Sequence, residues 1–331
     1  MIAMIEQSAS TLIESRLRIM TWNVWWRYGP WRERFPAIQA TIKAADPDIV
    51  ALQEVWGDDN EDLATVLAAE LGYHSTFKSQ KSIDGIRFGN GLLSRWPIVA
   101  VSECPLPAVT GRDEQRLVVV AEVAAPRRNV QVFCTHLNWQ AHDSAIRQEQ
   151  VRTLAQFVAD TGAADFVPIV CGDFNAMPET EEIRMLTGRT SCPVDGLVFR
   201  DAWGDFGDGH GHTWDNVNPH AAVELESTER IDYIYTGEPR DDDGAGLLAS
   251  DRVAERCYDL VHMALSLDPG RALSESYAID RRAARATKAV ERAIYVASHR
   301  LAAVRVDDQD TPAHVALPRG GTTPVDSRIR P

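Results

Sequence analysis

From about Leu17 to Leu267 the chain alternates short β-branched or aromatic runs with stretches of helical periodicity. In LRIMTWNVW, Leu17, Ile19 and Thr21 alternate with Arg16, Arg18 and Met20, which predicts a strand. RERFPAIQATIKAADPD puts Phe35, Ile38 and Ile42 on one helical face and stops near Asp46-Pro47. DIVALQEVW reads as a second strand, and NEDLATVLAAELG as a helix closed by Gly72. Further strands are expected in GLLSRWPIVAVSE, RLVVVAEVAA, NVQVFCTHLN, FVPIVCGDF and RIDYIY, with a helix over residues 143–159. Leu92–Glu103, Leu117–Val123 and Val130–Thr135 follow one another without a helix, which points to antiparallel or mixed sheets. Two sheets face to face, with helices outside, fit this order.

The same event recurs along the pattern: an apolar strand ends and a polar side chain able to bind a metal or a phosphate follows. TWN ends on Asn23, LQE on Glu54, THLN carries His136 and Asn138, GDFN carries Asp173 and Asn175, and RID carries Asp232. Taken singly, each has an ordinary explanation: a turn residue, a solvated strand end, a half-buried histidine, or an aspartate paired with Arg230. Strand ends of one sheet lie close together, so as a set these side chains can converge on one cleft.

Composition narrows the setting. The chain has 331 residues, 44% hydrophobic and 25% charged, values of a soluble globular protein with ample core. No apolar run approaches the roughly 20 residues of a membrane span, and the first residues lack a secretory pattern. Five cysteines show no zinc spacing, and Cys134 and Cys171 sit in apolar runs as reduced core residues, so a cytoplasmic protein is expected. The net charge is −14. Residues 271–331 hold 11 Lys/Arg against 7 Asp/Glu, a balance of +4, which leaves −18 on residues 1–270. That excess opposes nonspecific duplex binding, although a bound divalent cation can still supply positive charge for a phosphate. The expected division is an extension over 1–16, a domain over 17–268, and a tail over 269–331 that is helical and then disordered.

TWNVW, LQEVW, GNGLLSRWPI, THLNW, GDFNA and ERIDYIY, in this order, resemble the endonuclease/exonuclease/phosphatase (DNase I-like) superfamily over about residues 17–240. The resemblance implies an α/β (α+β) fold, a four-layer αββα sandwich of two mixed sheets with outer helices. It also implies hydrolysis of a phosphoester with Mg²⁺ or Mn²⁺, a hard cation that needs one or two carboxylates and keeps several waters. Carried over residue by residue, Glu54 is the main metal ligand with Asn23 on or beside the metal. Asp173 orients or deprotonates the attacking water, Asn175 donates to a phosphate oxygen, and His136 serves as proton donor or transition-state stabiliser. Asn90, Arg116 and Asn138 are substrate contacts, and Asp232 is the buttress of a final histidine.

Here the chain departs from the family pattern, because it has no Ser-Asp-His tripeptide. It has SDR at Ser250–Arg252 and CYDLVHMALSL from Cys257, where Asp259 is the candidate for the metal role and His262 for the histidine role. A reading-frame change after Tyr235 would account for both the missing tripeptide and the altered tail. The alternative is a family member with an impaired site, acting as a binding protein or not functioning. The expected partner is a small phosphodiester, a phospholipid headgroup or nucleic acid, and no protein partner is implied. Trp25, Trp26, Tyr28 and Trp31 are either an apolar wall of the cleft or packing for the first helix. His210, His212 and His220 read as a polar loop.

Overall fold

The computed structural model describes residues 17–162, 166–207, 209–214 and 227–237. One sheet contains β1 (Ile19–Asn23), β2 (Ile49–Gly57), β3 (His74–Ile83) and β4 (Ile86–Ser94), in the order β1-β2-β4-β3. The other contains β5 (Ile98–Leu106), β6 (Arg116–Ala124), β7 (Asn129–His136), β8 (Ile169–Asp173), β9 (Phe199–Asp201) and β10 (Asp232–Gly237), in the order β5-β6-β7-β8-β10-β9. β1 runs parallel to β2 and β7 parallel to β8, while the remaining pairs are antiparallel, so both sheets are mixed.

The strands alternate between two destinations. Ile19, Ile49, Ala51 and Leu92 of the first sheet meet Val119, Ala121, Val132, Cys134, Ile169, Cys171 and Ile234 of the second in the central layer. Met20, Val50, Leu52 and Leu93 face outward onto α1 (Trp31–Ala45) and α2 (Leu63–Leu71) through Ile38, Ile42 and Leu67. Val118, Phe133, Val170, Tyr233 and Tyr235 face the opposite way, onto α3 (Ser144–Thr161) and α4 (Glu181–Leu186). A short α5 (Ala202–Phe206) follows β9. The result is the four-layer αββα sandwich expected from the pattern. Most strands are covered on both faces, so Met20 is as buried as Ile19 and the simple alternation of the first strand disappears.

Helix ends follow local chemistry. α1 stops where Asp46 takes left-handed φ of 51° and returns its N–H to Ile42, with Pro47 next. Asp62 caps α2 by accepting from the Thr65 N–H, and Gly72 closes it at φ 75°. The predicted single strand Leu92–Glu103 is two strands in different sheets. β4 ends at Ser94, Arg95-Trp96-Pro97 crosses between the sheets, and β5 begins at Ile98. Pro97 has no N–H for a ladder, and the Trp96 N–H is held by Ser94 Oγ at 3.1 Å instead. The hairpin partner β3, HSTFKSQKSI, has no regular apolar alternation and carries no such signal in the sequence.

Candidate functional site

The two parallel pairings bring the chemistry together. β1 beside β2 aligns Asn23 with Gln53, one residue before Glu54. Glu54 sits inside β2, not at its end, in a bulge where pairing with β4 jumps from Leu52 to Val55 and its φ is 55°. The bulge takes Glu54 out of the alternation and turns it to the cleft. β7 beside β8 aligns His136 with Asp173, and antiparallel β10 aligns Asp232 with the same Asp173. Gly172 permits the close approach, since a Cβ there would lie 2.2 Å from the Thr135 carbonyl oxygen. A cleft of about 720 Å³ opens at this end of the sandwich, with Asn23, Glu54, His136, Asp173, Asn175 and Asp232 on its wall.

Asn23 joins the sheets. Its Nδ2 donates to Glu54 Oε1 at 2.9 Å and to Asp173 Oδ2 at 3.0 Å. Its Oδ1 accepts the Trp25 N–H at 2.9 Å, which fixes the amide orientation. Asp173 is oriented a second time by the Asn175 N–H, at 2.9 Å from Oδ1. Asn175 adopts left-handed φ of 48° and uses one side-chain N–H on the Leu137 carbonyl. His136 Nε2 lies 3.9 Å from Glu54 Oε1 and 3.7 Å from Asp173 Oδ2. On its other side, Arg116 Nη1 is 2.8 Å from His136 Nδ1. A guanidinium only donates, so Nδ1 accepts and the ring proton sits on Nε2, toward the carboxylates. Burial and the Arg116 cation together hold the imidazole well below its ordinary pKa.

Three carboxyl groups share this space. Burial pushes Glu54 up to about 7, with Asp173 adding to the rise against the Asn23 hydrogen bond and Arg116. Burial raises Asp173, and burial with repulsion from Asp173 raises Asp232 well above the carboxylate range. Glu54 Oε2 is buried and has no hydrogen-bond partner among the described residues. An orphaned carboxylate oxygen beside two further carboxyls fits a hard divalent cation, which takes few protein ligands and brings its own water. Among the described residues no group of three or more His, Cys, Asp or Glu side chains is placed to hold a metal ion by itself, so a cation here would rest on fewer protein ligands.

Other predicted residues sit behind the cleft wall. Asn90 is buried and donates to the Leu117 and Cys134 carbonyls, tying the sheets together. Asn138 is fully buried and donates to Glu114 and Asp143. Arg116 reaches the site only through His136 and is held from behind by Glu114 at 2.8 Å. Asp259, His262, His220 and the proposed segments 1–16 and 269–331 lie outside the described residues. Thr213, which touches the Asp232 N–H at 3.2 Å, was without signal in the sequence. His210 and His212 stack on one another, 5.1 Å apart, away from the cleft.

Of the aromatic cluster, Trp25 lines the cleft. Trp31 packs edge-on against Trp56, and Trp26 against Tyr28 and Phe88. Buried Arg34 holds this loop by donating to the carbonyls of Val24, Trp25, Trp26 and Tyr28. Trp139 and Trp214 also line the cleft. The first was visible in THLNW as a tryptophan directly after a polar strand end.

The model of the Endonuclease/Exonuclease/phosphatase family matches residues 20–313. Human nocturnin is 33% identical over 167 residues, which span 46% of this chain and 38% of nocturnin, so the chain matches well under half of that relative. The human nocturnin catalytic domain with bound sulfate superposes with a TM-score of 0.50 at 23% identity, covering 69% of this chain and 85% of that one. D. rerio TDP2 with a single strand DNA product superposes with a TM-score of 0.54 at 20% identity, covering 68% and 85%. At these identities the structural likeness establishes the fold.

Proposed function

The chain belongs to the endonuclease/exonuclease/phosphatase family, and from the cleft described above we propose that it is a divalent-metal-dependent hydrolase of phosphate esters. The observation that carries the metal is the buried, unpartnered Glu54 Oε2 next to Asp173 and Asp232. Glu54 is the ligand for Mg²⁺ or Mn²⁺, and Asn23 positions it through the amide bridge to Asp173. When bound, the cation supplies Lewis-acid polarisation of the phosphoryl oxygen and neutralises the carboxylate cluster.

The remaining steps belong to the protein. Asp173, fixed on both oxygens by Asn23 and Asn175, orients the attacking water and accepts its proton. Asn175 lines the cleft, and the side-chain N–H that Leu137 does not take donates to a non-bridging phosphate oxygen. His136, neutral and carrying its proton on Nε2, donates a hydrogen bond to the phosphoryl or leaving oxygen. That role needs no imidazolium, in keeping with its lowered pKa. Arg116 fixes the tautomer, and Glu114 fixes Arg116.

Hydrolysis of bis-p-nitrophenyl phosphate with Mg²⁺, Mn²⁺ or EDTA tests this reading, with Glu54→Gln and Asp173→Asn alongside. Metal-dependent turnover lost in both variants supports it. A second reading, a binding protein with an impaired site, is favoured by the absence of Ser-Asp-His from the sequence. A folded protein with no turnover above the two variants selects that second reading.

A further inference from the structure

Trp139 is the largest exposed apolar side chain of the cleft. Its surface is 58% exposed, and it stands three residues beyond His136 on the wall that also carries Asp173. Its indole has no ring, ion-pair or hydrogen-bond partner among the described residues, whereas other tryptophans of the chain are packed or bonded. Ligand clefts are commonly lined by aromatic side chains, and this indole offers such a cleft an open face.

The backbone beneath it is unusually well held. Buried Arg147 donates to the carbonyls on both sides of Trp139, Asn138 at 3.1 Å and Gln140 at 2.7 Å. Arg147 is itself fixed by fully buried Glu182 at 2.6 Å. The Asn138 N–H is taken by Gln150 at 3.0 Å, and Arg112 holds the Gln140 side chain. The indole is therefore presented on an immobilised frame, which lowers the ordering cost of a ligand that uses it.

We propose that Trp139 is a stacking platform for the base of a small nucleotide-type phosphoester whose phosphate sits at Glu54 and Asp173. The proposal rests on the reading of the cleft as a phosphoester site and names its substrate class. A base offers a flat π-face for the indole and polar edges for its neighbours, and base–aromatic stacking is tolerant of base identity. The cleft sets polar Gln140, His142, Thr213 and Glu229 beside apolar Trp25, Trp214 and Ile231, a mixed lining that suits a flat ring with polar edges. The net charge of −14 offers no track for a long polyanion, so one nucleotide or a very short strand is the unit bound.

The test is isothermal titration calorimetry of the full chain with Mg²⁺, using AMP, base-free ribose 5-phosphate and phosphatidylcholine vesicles. The Asp173→Asn background prevents turnover. The same titrations are run on Trp139→Phe and Trp139→Ala. We expect AMP to bind roughly tenfold or more tightly than ribose 5-phosphate. That preference is lost in Trp139→Ala and largely kept in Trp139→Phe, whose ring still stacks. Equal binding of the two phosphates, a preference that survives Trp139→Ala, or Trp139-dependent binding of vesicles alone overturns the proposal. Hydrolysis of bis-p-nitrophenyl phosphate is scored separately. Base preference without turnover sinks only the hydrolase reading, and turnover without base preference sinks only this one.

Discussion

Behind His136 each buried charge faces an opposite one, whereas in front of it carboxyl groups face each other. On the rear side Arg116 meets Glu114, Arg112 meets Asp143 at 2.6 Å, and Arg147 meets Glu182, while Asn138 and Gln150 fill the remaining hydrogen bonds. On the cleft side Glu54, Asp173 and Asp232 converge, and among the described residues the only side-chain donor bridging two of them is Asn23. The Arg112 hydrogen bonds pull Asp143 below its ordinary pKa, and burial pushes Glu54 above its own. Two polar clusters in one sandwich thus carry opposite signs of the same electrostatics. The rear one is charge-paired as folded, with Arg116 Nε its buried atom lacking a hydrogen-bond partner among the described residues, and the front one is, on the proposed reading, completed by a cation.

The sharpest break of this contrast is at the front. Glu54→Gln and Asp173→Asn keep shape and remove charge, and each is expected to lower metal-dependent turnover about 10²–10⁴-fold. Steady-state kinetics check this, and a loss smaller than tenfold in both would mean the front cluster is not the reaction centre. The rear cluster answers to a different measurement. Arg147→Ala leaves Glu182 buried and unpaired, so it is expected to destabilise the fold by about 3–5 kcal/mol. The double change Arg147→Met with Glu182→Leu should recover most of that loss. Urea midpoints read both, and a double variant as unstable as the single one would contradict the assignment.

The front cluster was legible in the sequence and the rear one was not. Strand-end chemistry leaves local marks: Asn23, Glu54, His136 and Asp173 lie in or at the end of apolar runs that pair in parallel, whereas Asp232, expected at a strand end, opens β10 and reaches Asp173 through antiparallel pairing. Glu54 was nonetheless assigned to a strand end, because a bulge has no signature in LQEVW. The rear cluster depends on distant register. Arg116 meets His136 because β6 and β7 pair Val118 with Thr135, and Glu182 meets Arg147 because α4 packs on α3. No residue type at Glu114, Arg147 or Glu182 announces a buried partner. Polar β3 escaped notice for the complementary reason, since it has no regular apolar face to read.

His136 stands on the boundary and reports on both sides. His136→Ala removes one fixed donor to a phosphoryl or leaving oxygen, with an expected loss of about 10²–10³ in kcat and little change in fold. Arg116→Ala frees Nδ1 and removes a cation that lowers Glu54 and Asp173, so its signature is a shifted acid limb of the rate–pH profile with KM nearly unchanged. A variant that lost stability and left the pH profile in place would make Arg116 structural only.

The smallest effect separates the clusters by the sign of their pH dependence. In EDTA, Glu54 has a folded pKa of about 7 against an ordinary 4.5, so the folded state holds the extra proton. Its contribution to stability is fully present below pH 4.5 and is lost as pH rises through 7. Asp173 and Asp232 are raised too and act in the same direction. Asp143 is lowered from 3.8, so its contribution is present above that value and is lost only in stronger acid. Of the two carboxyl clusters only the front one titrates between about pH 5 and 8, and its contribution should lower the Tm of the metal-free protein by roughly 5 °C over that range, read as the difference from Glu54→Gln. Mg²⁺ or Mn²⁺ should restore most of the loss at pH 8 and little at pH 5, because only the ionised cluster binds a cation. Glu54→Gln should flatten the profile and weaken the metal response. Thermal melts across this range decide the matter: a metal-free Tm that is level or rises toward pH 8 would show that the three carboxyls are already neutralised from within the protein.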